Sequence, residues 1–394
     1  MSQFRSKVAI IGIGEVPSGK FPDRPCLQSC VEAARQAILD AGIDKNEIDV
    51  VMPTGVFYDR RFNTDLIFSK LAEELGLLGK AKANFQVFSG GASSSTMLKT
   101  ACGLITAGLA KVILCVQCDK VGSAPTQEMI DLFATFGIPG EWETPYGSFM
   151  AATGSLVATR YMHETGATPE QLASVVVSMR KWAVLNPNAM LRRELTVQEI
   201  LSSTMVTTPS TTREGNVLAD GGAAFVVTDA SIAKEVCKTP VYPLGFGSRV
   251  LHYSQSQNPD LVGMGYTEAG EEAFTMAGIS ASDVDIVELY DGYPIYPLLA
   301  LEGLGLCKRG EAGAFVQAGN TWPGGKLPMT TNGGMLGQGH TAAGGGVAVL
   351  VEGVRQLMGK AGERQVKDAK MAVETAMGGT FMDIHVCILG NIIP

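Results

Sequence analysis

Apolar and polar positions alternate along the chain in a way that predicts strands followed by helices. Residues 8–14 form a short apolar run that ends in glycines and predicts a buried strand. From residue 27 to residue 41 the apolar positions recur at helical spacing, and Gly42 supplies a helix stop. Residues 48–52 predict the next strand. This order of elements is typical of an α/β protein.

One stretch of this pattern occurs twice. Residues 41–51 read Ala-Gly-Ile-Asp-Lys-Asn-Glu-Ile-Asp-Val-Val, and residues 277–287 read Ala-Gly-Ile-Ser-Ala-Ser-Asp-Val-Asp-Ile-Val, 236 positions later. Solenoid repeats have much shorter periods, so this spacing predicts a duplicated domain. The alternative is a chance similarity between two helix–strand junctions. We expect an N-terminal half over residues 1–236 and a C-terminal half over residues 237–394.

Two further pairs of elements match between these halves. A helix rich in small residues is predicted over 92–108 and a strand over 112–118, and the second half repeats them near 342–358 and 370–375. Each helix follows a glycine-rich turn, Gly90-Gly91 in one half and residues 337–340 in the other. Such turns present backbone N–H groups that favour a negatively charged oxygen. By symmetry, we expect the two turns to face one shared site.

Composition and charge narrow the class of protein. The chain has 394 residues, 47 of them glycine, and a net charge of −8. It has no basic run, so we expect no nucleic-acid or anionic-membrane partner. No stretch approaches the roughly 18–20 apolar residues of a membrane span, and the first apolar run is too short for a signal peptide. We therefore expect a cytoplasmic protein. Separately, the irregular residues 122–220 are expected to form a cap inserted into the first half.

The eight cysteines do not predict a metal site. Cys115 and Cys118 lie three apart in an apolar, β-rich run, so their side chains point to opposite faces of a strand. Cys26 and Cys30 begin a helical pattern. We interpret all four as buried thiols, and expect no metal.

The C-terminal motifs carry a resemblance to a known family. They are Val-Glu-Leu-Tyr-Asp-Gly-Tyr at 287–293, Leu-Glu-Gly-Leu-Gly-Leu-Cys at 301–307, Arg-Gly-Glu at 309–311, Leu-Pro-Met-Thr-Thr-Asn-Gly-Gly at 327–334 and Gly339-His340. Together they resemble the thiolase superfamily, and within it the lipid-transfer-protein, or sterol-carrier-type, thiolase-like branch. The resemblance covers essentially the whole chain. It implies two fused αβαβα halves that form a five-layered sandwich.

The family's reactive positions are only partly kept. Gly91 stands where the resemblance places the nucleophilic cysteine, and Thr375 is the best match to the second, acid–base cysteine. Tyr290 takes the place of an asparagine. Only the Gly339-His340 element matches well. The chain therefore resembles a cysteine-lacking, aldolase-like member of the superfamily.

The remaining groups suit chemistry without a covalent intermediate. Cleavage of a β-hydroxyacyl-CoA needs a group that takes the hydroxyl proton and donors that stabilise a thioester enolate. We assign the proton to Tyr290, whose pKa would have to be lowered, and the enolate pocket to His340 with the backbone at Gly90, Gly91 and Gly339. A structural histidine and a merely pocket-lining tyrosine are the alternatives.

Further positions are weaker candidates. His252, Ser93 and Tyr293 are candidate contacts to substrate or coenzyme A, and Ser93, Ser94 and Ser95 are candidate nucleophiles that more often cap a helix. The alternatives to an aldolase are an acyltransferase or thiolase that uses other residues or a partner, and a non-catalytic acyl-CoA-binding subunit. The resemblance implies a role in lipid metabolism, a homodimer and a small OB-fold, zinc-ribbon accessory protein. We expect no cofactor besides the coenzyme A thioester that serves as substrate.

Overall fold

The computed structural model describes residues 6–56, 58–59, 67–135, 137–342 and 345–393. Its helices are α1 Cys26–Ala41, α2 Ile67–Glu74, α3 Ser93–Thr106, α4 Thr126–Phe133, α5 Met150–Thr165, α6 Pro169–Leu185, α7 Val197–Leu201, α8 Ala230–Val236, α9 Tyr266–Ala277, α10 Ile295–Gly303, α11 Ala312–Gln317, α12 Gly334–Gly337 and α13 Gly345–Leu357. Its strands are β1 Val8–Gly19, β2 Val50–Pro53, β3 Ala83–Asn84, β4 Val112–Lys120, β5 Met205–Thr207, β6 Ser210–Thr211, β7 Asp220–Asp229, β8 Tyr242–Val250, β9 Ile286–Glu288, β10 Met371–Gly378 and β11 Asp383–Gly390.

Two sheets and three layers of helices form a sandwich. One sheet has the strand order β1-β7-β4-β2-β3, and the other has the order β8-β11-β10-β9. Helices α3 and α13 lie between the sheets and pack against both of them. Helix α1 covers the outer face of the first sheet, and α9 covers the outer face of the second. This arrangement confirms the five layers that the resemblance implied.

The repeated segment has the same conformation in both halves. Helices α1 and α9 each end at a left-handed glycine, Gly42 with φ 70° and Gly278 with φ 71°. A short 3₁₀ turn follows in each case, and then an aspartate precedes the strand. Each aspartate also accepts hydrogen bonds from two successive backbone N–H groups where a neighbouring strand begins. Asp49 accepts from Lys111 and Val112 at the start of β4. Asp285 accepts from Lys370 and Met371 at the start of β10. Such matched detail supports duplication over chance similarity.

Strand β1 is longer than the sequence predicts. The glycines at 12 and 14 were expected to end it, but β1 continues to Gly19. Both glycines face α1, where a Cβ atom at Gly12 would meet the carbonyl oxygen of Ala37 and one at Gly14 would meet that of Ala33. These glycines therefore allow the helix to approach the strand closely, and do not mark a turn.

The predicted cap separates two neighbouring strands of the first sheet. Strands β4 and β7 pair antiparallel, although helices α4 to α7 and the β5–β6 hairpin lie between them in the chain. None of these intervening elements belongs to either large sheet. The division of the chain at residues 236 and 237 stays a prediction, and it falls between α8 and β8.

The cysteines agree with two expectations from the sequence. Cys118 packs into the core beneath α1, and Cys115 packs into the core between the sheets, so the two side chains do lie on opposite faces of β4. Cys26 and Cys30 are also buried. Over the described residues, no helix is long and apolar enough to cross a membrane.

Candidate active site

A mostly apolar cavity of about 260 Å³ lies where the two halves and the cap meet. The first half contributes the backbone of the turn before α3, at Gly90 and Gly91. The second half contributes Tyr290 and Tyr293, which follow β9, and His340, which precedes α13. The cap closes the cavity with Ile130, Phe133, Phe149, Met150 and Ala151. We call this space the catalytic cavity.

Tyr290 is fixed by its backbone and by its hydroxyl group. It lies two residues after the last pair of β9 with β10, and its N–H donates to Oγ1 of Thr375 at 3.0 Å. Its hydroxyl lies 3.2 Å from Nε2 of His340. Thr375 is buried and does not line the cavity. Thr375 therefore offers no acid–base group to the cavity, because its hydroxyl holds the Tyr290 backbone. Its match to the acid–base cysteine stays a prediction.

The hydrogen bonds of His340 assign its tautomer. Its Nδ1 accepts from the N–H of Ala342 at 3.2 Å, so the neutral ring carries its proton on Nε2. Burial lowers the pKa of His340 to about 4, which leaves the ring uncharged at neutral pH. The Nε2–H group therefore donates to the Tyr290 hydroxyl oxygen. The proton of that hydroxyl is left free to point into the cavity.

The pKa of Tyr290 does not move in the expected direction. Burial raises it, and the neighbouring Asp291 carboxyl raises it further. The role of proton acceptor led us to expect a lowered pKa for Tyr290, and this expectation is wrong. At neutral pH Tyr290 is a protonated phenol, which is a hydrogen-bond donor first and a base only in its rare ionised form.

Gly91 leaves no room for a side chain. A Cβ atom at this position would lie 2.7 Å from the Tyr290 hydroxyl oxygen and 2.6 Å from the backbone oxygen of Met377. The Tyr290 hydroxyl thus occupies the space that the first side-chain atoms of a residue at 91 would need. All eight cysteines lie in the described part of the chain, and none of them lines the cavity.

At Gly90, the turn before α3 lies against the backbone of the second half. Gly90 has a φ of 56°, and a Cβ atom there would lie 3.2 Å from the backbone nitrogen of Gly379. Gly379 also lines the cavity. Of the segment 374–379 that the sequence singled out, Gly379 therefore lines the cavity and Thr375 does not.

Three predicted site residues lie outside the catalytic cavity. Gly339 is not an enolate donor, because its N–H donates to the carbonyl oxygen of Gly334 at 3.2 Å. Ser93 caps its own turn, because its hydroxyl donates to the Gly90 carbonyl at 2.6 Å and accepts from the Ser89 N–H at 2.9 Å. His252 lies in the loop after β8.

The other two serines at the start of α3, Ser94 and Ser95, lie outside the cavity as well. Ser95 donates to the carboxyl group of Glu374 at 2.9 Å, and Ser94 is fully buried. Neither residue lines the cavity. The helix-capping or packing interpretation of these serines therefore describes them better than the nucleophile hypothesis.

Asp291, behind the cavity, and Asn216, which lines it, hold the site through hydrogen bonds, and the sequence predicted neither role. The Asp291 carboxylate accepts from the N–H groups of Met335 and Leu336 and so holds α12, which leads to His340. Burial raises the pKa of Asp291 to about 7. Asn216 of the cap donates through Nδ2 to the carbonyl oxygen of Gly292 at 3.0 Å. In the sequence, only the position of Asp291 next to Tyr290 could have indicated that it belongs to the site.

Comparisons with known proteins agree with this architecture. Residues 247–391 match the family model "Thiolase C-terminal domain-like". The acetyl-CoA acetyltransferase of Methanothermobacter thermautotrophicus is 30% identical over 95% of this chain and 96% of its own. The steroid side-chain-cleaving aldolase of Thermomonospora curvata is 30% identical over 90% of this chain and 92% of its own. A solved structure described as "Ltp2-ChsH2(DUF35) aldolase" is 28% identical, has a TM-score of 0.85 and covers 98% of each chain.

The fold and the site thus define an acyl-CoA enzyme of the thiolase type. The chain belongs to the thiolase superfamily, in its lipid-transfer-protein, or sterol-carrier-type, branch. Its relatives are named both as acyltransferases and as C–C bond lyases. Membership of the family therefore shows an enzyme of one of these two classes and does not choose between them.

Proposed function

We propose that the protein is a cysteine-independent aldolase that cleaves, or in reverse forms, the Cα–Cβ bond of a β-hydroxyacyl-CoA. The observation that carries the proposal is the exchange at Gly91. The position that the resemblance gives to the nucleophilic cysteine has no side chain, and the Tyr290 hydroxyl fills the adjoining space. A covalent acyl-enzyme therefore has no thiolate to form on, whereas a proton-transfer group is present.

The proton moves in a closed cycle during cleavage. The ionised form of Tyr290 accepts the β-hydroxyl proton, and the Nε2–H of His340 stabilises the phenolate before that step. The Cα–Cβ bond breaks, its electron pair forms the thioester enolate, and the β-carbon leaves as an aldehyde or ketone. Tyr290 then returns the proton to Cα, which yields the shortened acyl-CoA.

Backbone groups from both halves can bind the enolate oxygen. Gly90, Gly91 and Gly379 line the cavity without side chains, so their peptide groups can approach a ligand closely. One well-aimed hydrogen-bond donor to such an oxygen contributes about 2.7–4 kcal/mol to transition-state stabilisation. This part of the site needs no cofactor beyond the coenzyme A thioester itself.

A partner subunit is part of the proposal. The structure described as "Ltp2-ChsH2(DUF35) aldolase" carries two components in its name, which supports the accessory protein that the resemblance implies. An OB-fold, zinc-ribbon character for that partner, a homodimer and a cytoplasmic location stay predictions. A role in lipid metabolism is supported by the name of the steroid side-chain-cleaving relative.

Two measurements on the purified protein test the function. The protein is first incubated with β-hydroxyacyl-CoAs, with and without the accessory protein. The reaction should release an aldehyde or ketone and a shortened acyl-CoA, and chromatography detects these products. Intact-protein mass spectrometry after incubation with acetyl-, propionyl- or benzoyl-CoA should show no added mass, while a cysteine-bearing thiolase run in parallel should show it. A stoichiometric mass gain would favour the acyltransferase, and binding without any cleavage would favour a non-catalytic subunit.

A further inference from the structure

A buried carboxylate on β1, that of Glu15, lies outside the catalytic cavity and faces three hydrogen-bond donors. One of its oxygens accepts from Nε2 of Gln338 at 2.6 Å. The other accepts from Nδ2 of Asn188 at 2.9 Å and from Nη2 of Arg355 at 2.8 Å. Only 4% of the Glu15 side chain is exposed. Hydrogen bonds to a charged group are stronger than neutral ones, so Glu15 fixes the side chains that donate to it.

Gln338, the first of these donors, is held through its side chain and through its backbone. Its Oε1 accepts from Nδ2 of Asn186, which follows α6, at 3.1 Å. Its N–H donates to the carbonyl oxygen of Gly334 at 2.7 Å, and its carbonyl oxygen accepts from the N–H of Met190 at 2.9 Å. A carboxylate on one side and an amide donor on the other therefore fix the direction of the Gln338 side-chain amide.

A single glycine separates Gln338 from His340. Gly339 has a φ of 132°, in the positive range that favours glycine, and a Cβ atom there would lie 2.9 Å from the Cβ of Ala219. On the far side of this glycine, the His340 N–H donates to the Val217 carbonyl oxygen at 2.6 Å, and the His340 carbonyl oxygen accepts from the Ala219 N–H at 3.0 Å. Because glycine restricts the chain least, the anchors on its two sides decide where the His340 ring lies. Gln338 is the anchor on the near side.

Arg355, another donor to Glu15, lies on α13, the helix that follows His340 in the chain. Its guanidinium group also pairs with Glu352 at 3.1 Å, and Glu352 pairs with Arg364 at 2.7 Å. Glu15 is thus the end of a chain in which carboxylates and guanidinium groups alternate. This one carboxylate holds both a residue that precedes His340 and the helix that follows it.

We propose that Glu15 is a positioning residue for the reaction. Through Gln338 it holds the His340 ring where its Nε2–H group donates to the Tyr290 hydroxyl. The inference rests on the proposed function, because it assigns a residue that orients a group of that same site. The alternative is a carboxylate that joins β1 to α13 and adds stability alone.

The first test exchanges the two partners. Gln338→Glu places two carboxylates face to face, whereas the double variant Glu15→Gln/Gln338→Glu again sets an amide donor opposite a carboxylate and keeps the total charge. Gln338→Glu should lower kcat for cleavage by about 10–100-fold, as a small displacement of a catalytic group does. KM should stay within about threefold, since neither position lines the cavity. The double variant should recover most of the lost rate, whereas Glu15→Gln alone should also be slow because an amide offers one oxygen to three donors.

A second pair of variants separates positioning from stability. Gln338→Met removes the same hydrogen bonds without adding a carboxylate, so the test remains possible if Gln338→Glu does not fold. Gln356→Met is the matched control, because Gln356 is also 1% exposed and bonds to the Arg364 carbonyl oxygen and the Val366 N–H. Both variants should lower the midpoint of thermal unfolding. Only Gln338→Met should lower kcat, by about tenfold, while Gln356→Met stays within about twofold of the wild type.

The position of the His340 ring can also be measured without any cleavage. The chain has four histidines, and the His340→Ala variant identifies the His340 signals in NMR spectra of protein with ¹⁵N-labelled histidine rings. In the wild type, Nε2 should carry the ring proton at neutral pH, since Nδ1 accepts from the Ala342 N–H and burial lowers the pKa of His340 to about 4. Glu15→Gln and Gln338→Met should populate both tautomers, and Gln356→Met should keep the wild-type signals.

Three results would each overturn the inference. They are wild-type His340 signals in both Glu15→Gln and Gln338→Met, changed signals without a loss of kcat, and a double variant that is no faster than Gln338→Glu. The two proposals also fail separately. If the wild type cleaves no β-hydroxyacyl-CoA, the aldolase falls, and the NMR signals still decide whether Glu15 orients His340. If cleavage occurs and the variants keep both kcat and the His340 signals, the aldolase stands and the positioning role does not.

Discussion

The two halves of the protein share a fold but contribute different kinds of groups to the catalytic cavity. The first half presents only peptide backbone, at Gly90 and Gly91, whereas the second half presents the side chains of Tyr290 and His340. The absence of a side chain in one half therefore leaves space for a side chain from the other. A Cβ atom at Gly91 would lie only 2.7 Å from the Tyr290 hydroxyl oxygen, so the two features depend on each other.

The largest expected effect comes from removing the Tyr290 hydroxyl. Tyr290→Phe should lower kcat/KM for cleavage of a β-hydroxyacyl-CoA by about 10²–10⁴, the usual contribution of a positioned acid–base group. The ring and its packing against Tyr296 remain, so the midpoint of thermal unfolding should change little. Steady-state assays of aldehyde or ketone release measure the loss.

Tyr242→Phe is the matched control for this change. Tyr242 is a buried tyrosine of β8 that lies outside the catalytic cavity, so its hydroxyl should be dispensable for cleavage. An unimpaired Tyr290→Phe enzyme would show that the second half does not supply the proton-transfer group.

Removal of the His340 ring should have the next largest effect. His340→Ala deletes the Nε2–H donor that faces the Tyr290 hydroxyl, and it should reduce kcat by about 10²–10³, as the loss of one preorganised donor does elsewhere. His340→Gln places an amide near the same position and should recover part of the rate. The exposed His163→Ala serves as the control, and equal activity of all three variants would contradict the assigned donor.

The pH dependence should report the raised pKa of Tyr290. Cleavage needs the phenolate, and burial raises the pKa above its ordinary value of 10, so kcat/KM should rise about tenfold per pH unit through the neutral and mildly alkaline range. Condensation begins in the same cycle when the phenolate removes the Cα proton, so its kcat/KM should rise with the same slope. His340, with a pKa lowered to about 4, adds no titration in this range. A plateau in the cleavage profile near pH 7 would point to a different base.

The fold was predictable because its signals are local and repeated. The matching segments around Gly42 and Gly278 carry the same cap, turn and aspartate, so the duplication was visible in the pattern of residues. The length of β1 was not predictable in the same way. Glycine weakens a strand on average, and only the approach of α1 shows why Gly12 lies inside one.

The sequence placed Tyr290, His340, Gly90 and Gly91 at one site, and all four line the cavity. It could not distinguish Gly339 from Gly379, which look alike in the sequence although only Gly379 lines the cavity. The direction of the Tyr290 pKa depends on its burial, which no spacing of residues reveals.

The smallest expected effect tests the exchange at Gly91 directly. Gly91→Cys restores a thiol but crowds Met377 and Tyr290, so it should destabilise the protein by about 1–3 kcal/mol, the usual cost of overpacking. Gly103→Cys is the matched control on α3, because a Cβ atom there meets open space. Urea unfolding compares the two variants, and intact-mass analysis after incubation with acetyl-CoA should show no added mass on Gly91→Cys. A Gly91→Cys protein that is as stable as wild type and becomes acylated would show that Tyr290 moves aside at little cost, and that its hydroxyl does not exclude a side chain at position 91.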